Sequence, residues 1–250
     1  MQKLIRLTLS YGLFILLLFS SCGLSQAEEI SSLVNKLQNT FNNKRKDQFF
    51  ILFSKQIAKD LEKQYSDFLK IFPDAKWTIK PSSPIKGESQ LIDILLIGDS
   101  NTRLHKYSLI SNQKIAIKTQ EEKIVAAEIL SNYSILQSGF KQLDITTRIP
   151  DTVLTGSQYD IDIILNKPLE DRIIAGGLIA VEKKYFDFGK HQDIPLMPMA
   201  SGGLFKSVRA PLEPGNQIWS ALIAHPEGLV SITKLVRVIS STDNLIQSKN

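Results

Sequence analysis

Asp93 stands inside an apolar run, Leu91-Ile92-Asp93-Ile94-Leu95-Leu96-Ile97. A carboxylate in such a run is costly to bury. Two environments are open to it. It can turn to solvent on the outer face of a strand or hydrogen-bond a helix end, which is the reading adopted. Held in a pocket, it would have a raised pKa suited to general-base work. His105 and Tyr107 lie on what reads as a neighbouring strand and complete the set of candidate catalytic side chains, Asp93, His105 and Tyr107. His105, between Leu104 and Lys106, also fits a surface or structural histidine.

Other chemistries find little support. The histidines, His105, His191 and His225, are far apart and show no HxH or HxxxH spacing. The single cysteine, Cys22, lies in the N-terminal leader, and no EF-hand-type carboxylate loop occurs. No metal site is therefore expected. There is no GxxxxGK[ST] and no GxGxxG, so no nucleotide or other cofactor is expected. Gly176-Gly177 and Gly202-Gly203 read as a strand bulge and a loop end. No GxSxG elbow marks a serine hydrolase. A site can still converge from residues distant in sequence.

The N-terminus carries an export signal over residues 1–27. Lys3 and Arg6 form its positive region, and Leu7 to Phe19 is an uncharged apolar run too short for a membrane span. Phe19-Ser20-Ser21-Cys22 resembles a lipobox, which would place a lipid on Cys22. Ser25-Gln26-Ala27 before Glu28 is a competing signal-peptidase site that would discard the cysteine. The lipoprotein reading is favoured, with cleavage before Cys22. It makes a membrane, reached through the lipid anchor, the first expected partner. The expected location is the cell envelope, lipid-anchored or periplasmic.

The chain has 250 residues, 43% hydrophobic and 22% charged, typical of a globular protein. Loss of Lys3 and Arg6 with the leader lowers the net charge from +5 to +3. The charges are scattered, so no nucleic-acid partner is expected. Lys44-Arg45-Lys46 reads as a solvated inter-helix loop.

Three helices open the mature chain. Ile30, Leu33, Val34, Leu37 and Phe41 form an amphipathic stripe. Asp47 is placed to cap a short second helix with Phe49, Phe50, Leu52 and Phe53. A third runs from Ile57 to Phe72, where Pro73 ends it. Strands are expected at 76–80, 91–97, 105–110, 114–118 and 124–136, with Ser111-Asn112 as a tight turn between the third and fourth. From about residue 140 no helical period remains. Six or seven short strands separated by turns argue for a sandwich. A long loop, Lys183 to Gly203, carries Tyr185, Phe186 and Phe188. They mark either a partner-binding patch or the interface between two domains. Trp77 and Trp219 sit in strand patterns as core residues, and the tail 241–250 reads as flexible.

Leu33 to Ser54, a long helix followed by an Asp and the aromatic run Phe49-Phe50-Ile51-Leu52-Phe53-Ser54, resembles the NTF2-like fold. Val153-Leu154-Thr155-Gly156-Ser157-Gln158-Tyr159-Asp160-Ile161 is similar to the turn-then-strand of Ig-like sandwiches in bacterial surface proteins. The resemblance implies an α+β NTF2-like domain over 28–139, with helices on a curved antiparallel sheet, and an all-β Ig-like sandwich over 140–240. The pair is similar to exported bacterial lipoproteins without a known activity. It implies a non-enzymatic envelope binding or assembly module with an envelope protein as a further partner. The alternative is a periplasmic small-molecule binder or enzyme that uses Asp93 and His105 in the NTF2-like pocket. Oligomeric state stays open.

Overall fold

The computed structural model describes residues 28–82, 90–101, 106–139, 142–166, 174–182, 192–199, 202–226 and 228–240. The leader with Cys22, the histidine at 105, the aromatic residues Tyr185, Phe186 and Phe188, and the tail 241–250 lie outside the described residues.

Helix α1 covers 28–42, followed by a 3-10 turn at Lys46–Gln48, α2 at Phe49–Leu52 and α3 at Lys55–Ile71. Asp47 does not cap α2 as expected. It lies within the 3-10 turn, and Gln48, with no side-chain cap bond, precedes the helix. The apolar stripes of α1 and α3 meet in an aromatic cluster. Phe41 stacks on Trp77 with ring centroids 5.5 Å apart, and Tyr65 meets Phe49 edge-on at 5.3 Å. Phe49 is fully buried, and removing such a ring from water stabilises the fold by about 1.5–3 kcal/mol.

The helices cover four long antiparallel strands: β1 (Lys76–Pro81), β2 (Gln90–Asn101), β3 (Lys106–Gln120) and β4 (Lys123–Ser138). The turn expected at Ser111-Asn112 is not there. β3 runs straight through, because the buried Ser111 hydroxyl finds a partner across the sheet in Ser134 Oγ at 2.7 Å. The turn after β3 is made by Glu121 and Glu122, both with φ near +55° (50° and 61°), a conformation that suits a tight hairpin loop.

The second half of the chain contributes β5 (Ile145–Arg148), β6 (Thr152–Leu154), β7 (Gln158–Leu165), β8 (Ala175–Val181), β9 (Met197–Pro198), β10 (Gly203–Arg209), β11 (Gly215–His225) and β12 (Gly228–Ile239). Strand β12 pairs with β4, so the sheet continues across residue 140. The result is one nine-stranded sheet in the order β1-β2-β3-β4-β12-β11-β8-β9, with β6 added parallel to β12. A three-stranded sheet, β10-β7-β5, packs on it.

This corrects the expected fold. The protein is predominantly β, and among the described residues the helices lie within 28–71. It is neither an NTF2-like α+β domain nor that domain followed by an Ig-like sandwich. The helical stripe and the strand alternation were read correctly as local patterns. They do not say which strand lies on the far edge of β4, and that edge is taken by β12.

The register shows how the two covers are arranged. Cross-strand partners share a face, and alternate residues of a strand face opposite ways. Trp77, Ile79, Ile92, Ile94, Leu96, Ile115 and Ile117 belong to the core under the helices. The opposite face of the distal strands carries Ile232, Ala221 and Ile223 into a core with Ile163 and Leu165 of β7. Helices thus cover one face at one end of the sheet, and the small sheet covers the other face at the other end.

Candidate functional site

Among the described residues, neither of the two covering layers reaches part of one sheet face. On β2, Leu91, Asp93 and Leu95 alternate with the helix-facing Ile92, Ile94 and Leu96. Their partners on β3 are Ala116, Lys114 and Asn112. Beyond β3 come Ser131 and Tyr133 of β4, then Lys234 of β12, opposite Tyr133. The segment from Pro150 to Thr152, which joins β5 of the small sheet to β6, borders this face there. A cleft of about 880 Å³ lies at this step, a size usual for a small-molecule site.

The cleft has an apolar floor and a charged rim. Leu91, Leu130 and Ala116 form a small buried cluster on this face. The register shifts on β3 between Lys114 and Ile115, whose partners on β4 are Ser131 and Ile129, and this leaves Leu130 as the extra residue. Such a bulge lets the strand bend. The charged lining residues are Lys80, Asp93, Lys114, Asp151, Lys234 and Arg237.

Lys234 is the least expected of these. It is only 7% exposed, on a strand face otherwise made of Val230, Ile232, Val236 and Val238. Its ammonium hydrogen-bonds Asp151 Oδ1. Asp151 also accepts from Ser131 Oγ at 2.9 Å, and its backbone carbonyl accepts from the Arg237 amide at 2.9 Å. Loss of hydration works to raise the Asp151 pKa. The Lys234 hydrogen bond and charge, with Ser131 and the Lys114 charge, outweigh it and hold the carboxyl below its ordinary range.

Asp93 lines this cleft with a half-exposed side chain, and Lys114 Nζ stands 3.8 Å from it. Tyr107 does not join it. Its partner on β2 is Ser100, on the other alternation from Asp93, and its ring packs into the core under the helices. The structure thus places Asp93 and Tyr107 on opposite faces of one sheet. Sequence reasoning missed Lys234, Asp151, Lys114 and Arg237. One signal was available for Lys234: it interrupts the inward period of Val230, Ile232, Val236 and Val238.

Among the described residues, no group of three or more His, Cys, Asp or Glu side chains could hold a metal ion. Nor is any helix among them long and apolar enough to cross a membrane.

Residues 140–239 match a domain of unknown function, DUF8623. No curated protein matches the chain. The matched segment carries β5 to β12, including Asp151, Lys234 and Arg237. Lys80, Asp93 and Lys114 come from the strands that precede it. The cleft is therefore built jointly by the DUF8623 segment and the N-terminal strands.

Two glycines read as a bulge have a different role. Gly176 and Gly177 lie within β8 in unbroken register with β11. A Cβ on Gly177 would collide with the Pro195 carbonyl, and one on Gly176 with Met199. They let the segment leading into and out of β9 pass close over the strand.

Proposed function

We propose that the protein is a non-enzymatic binding module of the cell envelope that takes its ligand in the cleft beside Lys234. The observation that carries this reading is the state of the cleft's carboxylates. Asp93 faces Lys80 and Lys114 across its two neighbouring strands, with the Lys114 ammonium 3.8 Å away, and Asp151 is hydrogen-bonded by Lys234. The Ser131 hydroxyl is committed to Asp151. Among the described residues that line it there is no His and no Cys. Acid-base or nucleophilic chemistry needs a group free to take or give a proton, whereas recognition needs a shaped apolar floor with placed polar groups. The envelope location rests on the leader, with Cys22 as the lipid-bearing residue.

Native mass spectrometry on protein released gently from its own envelope tests both parts. A mature mass starting at Cys22 with acyl chains supports the anchor, and a mass starting at Glu28 overturns it. A retained ligand that is lost from a Leu95→Arg variant of unchanged thermal stability supports the cleft. A ligand retained equally by that variant places binding elsewhere.

A further inference from the structure

The geometry points to an amphiphilic anion as the cleft's ligand: an apolar body carrying one or more acidic head groups. This deepens the proposed binding function and rests on the cleft being its site. Four cations, Lys80, Lys114, Lys234 and Arg237, line the cleft against two carboxylates, Asp93 and Asp151. The pairing is unequal. The charge of Lys234 is paired with Asp151. Asp93 lies between two lysines in register, Lys80 on β1 and Lys114 on β3. It approaches Lys114 only to 3.8 Å, beyond hydrogen-bond length. Arg237 reaches Glu128 at 3.9 Å, and no ion pair to Lys80 occurs among the described residues. Three cations therefore keep donors for an incoming anion, and a charge-assisted hydrogen bond is stronger than a neutral one.

The floor supplies the other half. Leu91 and Leu130 are buried in the face that the small sheet leaves open. Leu95 and the Tyr133 ring continue it toward β12. Along the same face, Ile97 and Ile110 are direct cross-strand partners, 44% and 39% exposed. The apolar surface therefore extends beyond the charged row. A ligand can place its acid at Lys80 and Lys114 and its hydrocarbon along Leu95 toward that isoleucine pair. A purely polar anion would leave the floor wet, and a neutral hydrocarbon would leave the excess cations without a partner.

Two fluorescent probes separate the components. 1-Anilinonaphthalene-8-sulfonate is an apolar ring system with one sulfonate, and N-phenyl-1-naphthylamine is its neutral counterpart. The purified full chain is titrated with each, alongside Lys80→Glu/Lys114→Glu and a control with the same charge change on the helix layer, Lys59→Glu/Lys63→Glu. The expected result is saturable binding of both probes at one site. The cleft pair should weaken the sulfonate probe by about tenfold or more and spare the neutral one, while the control changes neither. Equal affinity for both probes with no effect of the cleft pair overturns the anion and leaves the cleft a neutral binding site. Equal loss in the control also overturns it, by assigning the effect to overall charge. Failure of the sulfonate probe alone overturns the anion, failure of the neutral probe alone overturns the apolar body, and failure of both overturns the binding reading as well. If the reversed pair melts early, Lys80→Gln/Lys114→Gln carries the same test, with the same order of effects.

Discussion

The Lys234 ammonium, buried on β12 between two apolar clusters, is hydrogen-bonded to the Asp151 carboxylate, which stands just before β6. The Asp151 side chain remains 63% exposed while that of Lys234 is 9% exposed. The two partners are therefore unequal in what their loss would do. Asp151→Ala leaves a buried ammonium without its counter-ion. Full burial of both partners would make that cost about 3–5 kcal/mol. Solvent around Asp151 screens the pair, and about 1–3 kcal/mol is expected. Lys234→Met removes the buried charge itself and should fall within about 1 kcal/mol of the parent. Urea midpoints order the two variants. A Lys234→Met variant less stable than Asp151→Ala would contradict the assignment.

Acid should act through the same carboxylate. Its pKa is lowered in the folded protein, so the folded state holds the proton less tightly than the unfolded chain. The stability it contributes is fully present above the unfolded value of about 3.9. It is lost as pH falls from there through the folded pKa. Parent and Asp151→Asn should therefore differ most near neutrality and converge in acid. A difference between them that stays constant down to low pH would rule out this titration.

The free edge of β1 is blunted by α1. Asn42 Nδ2 donates to the Trp77 carbonyl and Asn42 Oδ1 accepts from the Trp77 amide, both at 2.8 Å. Gln38 Oε1 accepts from the Ile79 amide at 2.8 Å. Gln38 and Asn42 are one helical turn apart, so they reach alternate residues of one strand. Pro81 at the strand's end has no amide hydrogen to offer. An exposed edge templates pairing with other chains. Gln38→Ala/Asn42→Ala should lose about 1–3 kcal/mol and self-associate with rising concentration, read by light scattering after size exclusion. A variant that stays monomeric over the same range would show that the edge is protected in another way.

Gly177→Ala should be more damaging than a surface glycine change. Its new Cβ would meet the Pro195 backbone carbonyl, which cannot swing away as a side-chain tip can. Overpacking of this kind costs about 1–3 kcal/mol. Gly202→Ala, exposed and with only the Leu165 carbonyl oxygen 3.8 Å from its new methyl, is the comparison. Thermal melts of the two variants settle the order, and equal melting points would remove the close-approach account.

Much of the local structure was legible. Leu33, Val34 and Leu37 at helical spacing are buried under the sheet, and both Trp77 and Trp219 are core. Helical and strand periods are properties of a few neighbouring residues, so sequence carries them directly. Asp93 illustrates where this stops. Its alternation places it opposite Ile92 and Ile94, but whether that face met solvent, a helix or a cleft depended on what the rest of the chain laid over it.

By itself, then, the sequence determined which residues of each strand share a face and which stripes turn inward. Only the tertiary structure decided that β4 takes β12 as its second neighbour, with Gln137 opposite Val230. The reason is that backbone amides and carbonyls are alike in every strand. An edge therefore accepts any strand whose buried face matches its own. That choice made one sheet where two folds were expected. It also offset the two covering layers, and the cleft with Lys234, Asp151 and Lys114 lies where neither of them reaches.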